Sequence, residues 1–158
     1  MIQLLRINDK LTIMKKIFKL ALIAALFIIP VIVSARDRII KYEQLPQQSK
    51  VFISTHFADG KVSYVTIDDG KYEVKMIDGV ELNFLRDGEW DNVDCKYKPV
   101  PGSVLNLLPE GIVNYVHASF PDAVIVKVDK EWSCYEIKLD NDLDLIFGRN
   151  GTFLRIDD

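Results

Sequence analysis

Apolar and polar residues take turns along two stretches of the chain. Tyr72, Val74 and Met76 alternate with Lys71, Glu73 and Lys75, and Val80, Leu82 and Phe84 alternate with Glu81 and Asn83. A period of two is that of a half-buried β-strand, and Asp78-Gly79 between the stretches is a hairpin turn signal. Sixty-three positions later the pattern returns as Tyr135-Glu136-Ile137-Lys138-Leu139, then Leu143, Leu145 and Phe147 in alternation with Asp144 and Ile146. The turn is Asn141-Asp142 there. Further turns at Asp87-Gly88 and Asn150-Gly151 lead into a last strand holding Trp90 and Val93, or Phe153 and Ile156. Upstream, 62–67 and 124–128 are rich in β-branched residues, and Asp68-Asp69-Gly70 is a turn.

Ahead of each set of strands the period lengthens. Ile112, Val116 and Phe120 recur every four residues with Tyr115 beside them; Ser49, Ile53 and Phe57, with Phe52 adjacent, take the matching places. One apolar stripe predicts a helix of about three turns. Leu45-Pro46 and Leu108-Pro109 open these helices, with proline expected at the first helical position. Aligned without a gap, 45–94 and 108–157 share 13 identical pairs of 50, so the chain carries an internal duplication.

These elements predict an α+β fold of two tandem helix-plus-four-strand antiparallel meander repeats, with up to eight strands. Both helices pack on one face of the sheet, because a sheet with one polar face needs cover on the other. The first repeat spans 36–98, the linker with Pro99-Val100-Pro101-Gly102 spans 99–107, and the second repeat spans 108–158. Arg36 to Gln44 reads as a polar lead. Glu73, Lys75, Glu136 and Lys138 face solvent on the open side, with Lys71, Glu81, Asn83, Asp144 and Ile146 around them and Trp132 in an adjoining turn. This face is the candidate binding surface.

Residues 1–35 read as a secretory signal peptide. Met14-Lys15-Lys16-Ile17-Phe18-Lys19 is a basic start, 20–33 an apolar run, and Val33-Ser34-Ala35 a small-residue cleavage site. Residues 1–13 read as an over-extended start. Without 1–35, with their five basic residues and one acid, the chain keeps 15 basic and 22 acidic residues, a net of -7 against -3 for the whole. That balance argues against nucleic acid and against a membrane surface once the signal is removed. The expected compartment is periplasmic or secreted.

Candidate chemistry is sparse. His56 and His117 are the two histidines, at positions that do not correspond between the copies, and no metal-ligand spacing surrounds them. Asp68-Asp69-Gly70, Asp140-Asn141-Asp142 and Asp157-Asp158 fall at turns and match no calcium loop. Cys95 and Cys134 form a possible disulfide in an oxidising compartment. Neither a catalytic constellation nor a cofactor motif is present.

Leu-Pro, a helix ending in Phe-Pro-Asp (120–122), Tyr-Glu-Ile-Lys-Leu (135–139) and Phe-Gly-Arg-Asn-Gly (147–151) succeed one another in an exported chain. Together with Trp-Asp-Asn-Val-Asp-Cys-Lys (90–96) this order resembles the PepSY-like family, also described as beta-lactamase-inhibitor-like and common in the periplasm of Bacteroides-type bacteria. The resemblance covers residues 36–158. It implies a fold like that of the beta-lactamase inhibitor protein, and it carries over no functional residue. The expected function is a non-enzymatic binding or inhibitory module whose open face holds a protein or peptide of the cell envelope. The alternative is an envelope sensor of a small ligand or ion.

Overall fold

The computed structural model describes residues 38–157; the segment read as a signal peptide, 1–35, lies outside them. These residues build an α+β fold on a nine-stranded antiparallel sheet in which every strand pairs with its neighbours in sequence, in the order β1 to β9. The strands are β1 (Arg38–Ile40), β2 (Val62–Asp68), β3 (Lys71–Met76), β4 (Glu81–Phe84), β5 (Trp90–Asp94), β6 (Ile125–Lys130), β7 (Cys134–Leu139), β8 (Asp144–Gly148) and β9 (Phe153–Asp157). Helix α1 (Gln47–His56) lies between β1 and β2, and the short α2 (Gly102–Leu105) and α3 (Glu110–Ser119) lie between β5 and β6.

The register explains the core. One residue from each strand forms a single row across the sheet: Ile40, Val65, Val74, Leu82, Val93, Val128, Ile137, Leu145 and Ile156. The seven from Val65 to Leu145 are at most 1% exposed. They share one buried cluster with Phe52 and Ile53 of α1 and with Ile112 and Val116 of α3. Burying side chains of this size favours the fold by about 1.5–3 kcal/mol each.

An aromatic triad repeats at positions sixty-three apart. The Phe52 ring meets Phe84 edge-on at 5.7 Å and stacks on Trp90 at 5.8 Å; Tyr115 meets Phe147 edge-on at 5.5 Å and stacks on Phe153 at 4.3 Å. Extra residues bulge out of the ladder at matching places too, Ser63 with Val126 and Asp91 with Leu154. Each bulge shifts the alternation by one residue and bends its strand.

Two of the following features, the strand in the lead and the placement of the helix prolines, depart from the sequence expectation, and two others extend it. The polar lead contains β1, whose three residues pair with β2. Ile39 and Ile40 there hold the register on Thr66 and Val65 that Asn92 and Val93 hold on the corresponding Asp129 and Val128. The linker carries the short helix α2, and its Val100 and Val104 are 3% and 0% exposed and join the core. Pro46 and Pro109 stand one place before the first helical residue, as extended N-caps with ψ 147° and 130°. Finally, Ser49, a polar residue in the helix stripe, is fully buried because its hydroxyl donates to the Gly88 carbonyl at 3.1 Å.

Candidate functional site

The sheet face opposite the core row carries two parallel rows of side chains, one on each side of the buried one. The first runs Ile39, Thr66, Glu73, Asn83, Asn92, Asp129, Glu136, Ile146 and Arg155; the second runs Tyr64, Lys75, Glu81, Asp94, Lys127, Lys138, Asp144 and Asp157. The repeated Glu73 and Glu136 therefore share one row, and the repeated Lys75 and Lys138 share the other. Their placement is a property of the strands: each flanks a core residue, Val74 or Ile137, and points to the opposite side.

Ion pairs tie the rows together. Lys75 contacts Glu73 at 2.8 Å and Glu81 at 2.6 Å. Lys96, just past β5, bridges Glu81 at 2.8 Å and Asp94 at 2.9 Å. Lys138 reaches Asp144 at 3.4 Å, the counterpart of the Lys75–Glu81 pair. Lys127 reaches Asp129 at 3.3 Å. Partial burial works against the charge on Lys75, but its hydrogen bonds to Glu73 and Glu81 outweigh this and raise its pKa. Burial likewise opposes ionisation of Glu81, and the hydrogen bonds from Lys75 and Lys96 overcome it and lower its pKa. Half-exposed pairs of this kind contribute about 0–1 kcal/mol each.

Three members of the first row, one central and one near each end, are more enclosed than the rest. Thr66, Asn92 and Ile146 are 8%, 7% and 4% exposed although they lie on the open side. Thr66 donates to Glu73 at 3.3 Å and Asn92 to Asp129 at 3.1 Å. Asn83 Oδ1, between Glu73 and Asn92, is buried with no hydrogen-bond partner. The structure adds Asn92, Asp94, Lys127 and Asp129 to the face expected from the sequence. The signal for them is the position of Val93 and Val128, whose neighbours must point outward once those two are taken as core.

Trp132 belongs to neither row. It sits in the β6–β7 turn and is 96% exposed, beside Arg149, which donates to the Glu131 carbonyl at 3.2 Å and covers the Tyr135 ring. His56 packs on Phe52 at 4.6 Å and meets the Ser103 hydroxyl at 2.9 Å, with burial lowering its pKa; His117 is exposed on α3. Among the described residues no three His, Cys, Asp or Glu side chains are arranged to hold a metal ion.

The possible Cys95–Cys134 disulfide is not formed, and both thiols are free. The backbone of Cys95 bonds to Val126 at one end of β6, whereas Cys134 precedes the Tyr135–Lys130 pair at the other end. A separation of several residues at about 3.3 Å each far exceeds the roughly 4.4–6.8 Å a disulfide spans. Burial, reinforced by Asp94 and Asp78, pushes the Cys95 thiol up to about 11, so it is protonated and unreactive at neutral pH.

The family described as "Putative beta-lactamase-inhibitor-like, PepSY-like" matches residues 31–84 and 70–155. The chain belongs to the PepSY-like family. Two PepSY-like matches on one chain agree with a tandem arrangement. Among solved structures, this PepSY-like chain is similar to a "putative calcium-regulated periplasmic protein" of Bacteroides thetaiotaomicron. The two are 33% identical with a TM-score of 0.72, over 77% of this chain and 97% of that one. A "putative periplasmic protein of unknown function" of Bacteroides vulgatus is 33% identical with a TM-score of 0.73, over 78% and 100% of the two chains. A second "putative periplasmic protein" of that species is 35% identical over 77% and 97%, with a TM-score of 0.72. None of the curated proteins compared with the chain matches it. With its neighbours described as periplasmic, this PepSY-like protein is periplasmic or secreted. Among the described residues no helix is long and apolar enough to cross a membrane.

Proposed function

We propose that the protein is an exported, non-enzymatic binding or inhibitory module whose open sheet face holds a protein or peptide partner in the cell envelope. The observation that carries this reading is the alignment of Glu73 with Glu136 and of Lys75 with Lys138 in two rows on one face. Ion pairs this weak are cheap to redirect toward a partner's charges, and charge complementarity steers and registers association. Trp132, wholly exposed at the end of the sheet, supplies the aromatic anchor that interfaces favour. The repeated triads and bulges support reading 36–98 and 108–158 as equivalent helix-plus-four-strand units, so that each contributes half of the surface.

The test is capture from periplasmic extract, comparing the wild type with the double variant Lys75→Glu, Lys138→Glu. The expected result is a specific partner held by the wild type and bound at least tenfold more weakly by the variant, about 1.4 kcal/mol. Equal retention by both removes this face as the binding surface.

A second reading, a sensor of an ion, is favoured by Asn83. Its unpartnered carbonyl oxygen lies between Glu73 and Asn92 in the row, and side-chain oxygens are the ligand type that Ca²⁺ takes. One structural relative is described as a "putative calcium-regulated periplasmic protein". Under this reading Ca²⁺ raises the thermal midpoint of the wild type in a concentration-dependent way, and Asn83→Leu abolishes the rise. A midpoint indifferent to Ca²⁺ eliminates it.

A further inference from the structure

Ile156 on β9 and Val93 on β5 occupy equivalent places, each opposite a buried leucine of the preceding strand. Val93 is 0% exposed and Ile156 is 43% exposed. The difference lies in the outer neighbour of each strand. β5 is flanked by β6, with Asp94 opposite Lys127, Val93 opposite Val128 and Asn92 opposite Asp129. Among the described residues β9 has no strand on its outer side. It therefore presents a row of unpaired backbone groups together with exposed Leu154 and Ile156.

The junction between β5 and β6 specifies what would complete β9. It needs a basic residue opposite Asp157, a β-branched residue opposite Ile156 and an acid opposite Arg155. The triplet Arg155-Ile156-Asp157 read antiparallel against itself has that composition. We propose that β9 is a homodimer edge on which the β9 of a second copy pairs antiparallel, with Ile156 opposite Ile156 and Arg155 opposite the second copy's Asp157.

Neighbouring registers are disfavoured. A slip of one residue turns one copy's side chains to the opposite face. A register centred on Arg155 sets two guanidinium groups against each other, which destabilises a cross-strand pair. One centred on Leu154 falls on the bulge. In the single chain Arg155 and Asp157 bond to each other at 3.1 Å with side chains 59% and 55% exposed, so both are available to exchange partners. Pairing at β9 joins two open faces into one, since Arg155 and Asp157 end the two rows. It goes beyond the partner-binding reading and does not depend on it.

The test is mass measurement by light scattering and sedimentation equilibrium, over a wide concentration range, on protein purified from the periplasm. The wild type is expected to pass from monomer to twice that mass. Arg155→Asp alone and Asp157→Arg alone each leave like charges opposed and should weaken association at least tenfold. The double variant Arg155→Asp, Asp157→Arg restores complementarity and dimerises again. An equimolar mixture of the two single variants forms the mixed dimer. Both substituted positions are on an exposed edge, and unchanged circular dichroism confirms folding. A wild type that stays monomeric throughout, or single variants that associate like the wild type, overturns the proposal.

Discussion

Phe147→Ala should lower stability by about 3–5 kcal/mol, the range for removing a buried aromatic ring. Phe147 is 0% exposed and lies edge-on to both Tyr115 and Phe153, at 5.5 Å and 5.7 Å. Those two rings are already stacked on each other at 4.3 Å and 9°. Neither can move into the vacated space without leaving the other, and the strand backbones on both sides are held by ladder hydrogen bonds. The cavity therefore stays open, which is the costly case. Urea unfolding with an unchanged slope and a lowered midpoint would register the loss. Phe84→Ala, in the triad with Phe52 and Trp90, should cost a similar amount. A loss under about 1 kcal/mol at either position, well below the range for such rings, would mean that the triad is not part of the rigid core.

Gly151→Ala comes next, at about 2–5 kcal/mol, the sum of two causes. Its φ of +83° is in the left-handed region, and an added Cβ would stand 2.8 Å from Pro109 Cβ. The first feature costs an L-residue about 1–2 kcal/mol, and forcing a methyl into a packed contact costs about 1–3 kcal/mol. Gly88→Ala repeats the geometry, with φ +93° and Pro46 Cβ at 2.6 Å. Gly79 separates the two causes: its φ is +91° but nothing lies within 4 Å of an added Cβ. Gly79→Ala should lose only the conformational part. If the three substitutions cost the same in thermal or urea unfolding, contact between each turn and its helix proline contributes nothing.

Much of this organisation is visible in the residue pattern, because its causes are local. Tyr72 to Met76 alternate because one side of a strand is buried, and Val74 and Met76 are indeed 0% and 4% exposed. The stripe of α3 is readable for the same reason at a longer period. The duplication is readable because both copies keep Leu-Pro, the Tyr-Glu strand and Gly88 or Gly151. What is not readable depends on distant partners. Arg38-Ile39-Ile40 is too short to show alternation and becomes a strand only because β2 offers it an edge. Trp90-Asp91-Asn92-Val93-Asp94 alternates imperfectly because Asp91 is bulged, which hides Asn92 as a buried member of the open face. The Cys95–Cys134 pairing is open on compartment grounds, and only the β6 register separates the two thiols. Candidate site residues are legible as outward-facing, whereas their pairing is not, since Lys75 finds Glu81 across a turn and Lys127 finds Asp129 within its own strand.

The strand order has a consequence for how the chain reaches this state. Within β2–β5 and within β6–β9 each pairing comes after a tight turn, and hairpins of that kind form in about 1–10 μs. Two pairings bridge longer spans: β1 with β2 across α1, and β5 with β6 across α2 and α3. These must close larger loops before any contact repays the entropy. The seam between Asp94 and Lys127 is thus expected to close after the hairpins on either side of it, and its closure is what joins the two runs of strands into one sheet.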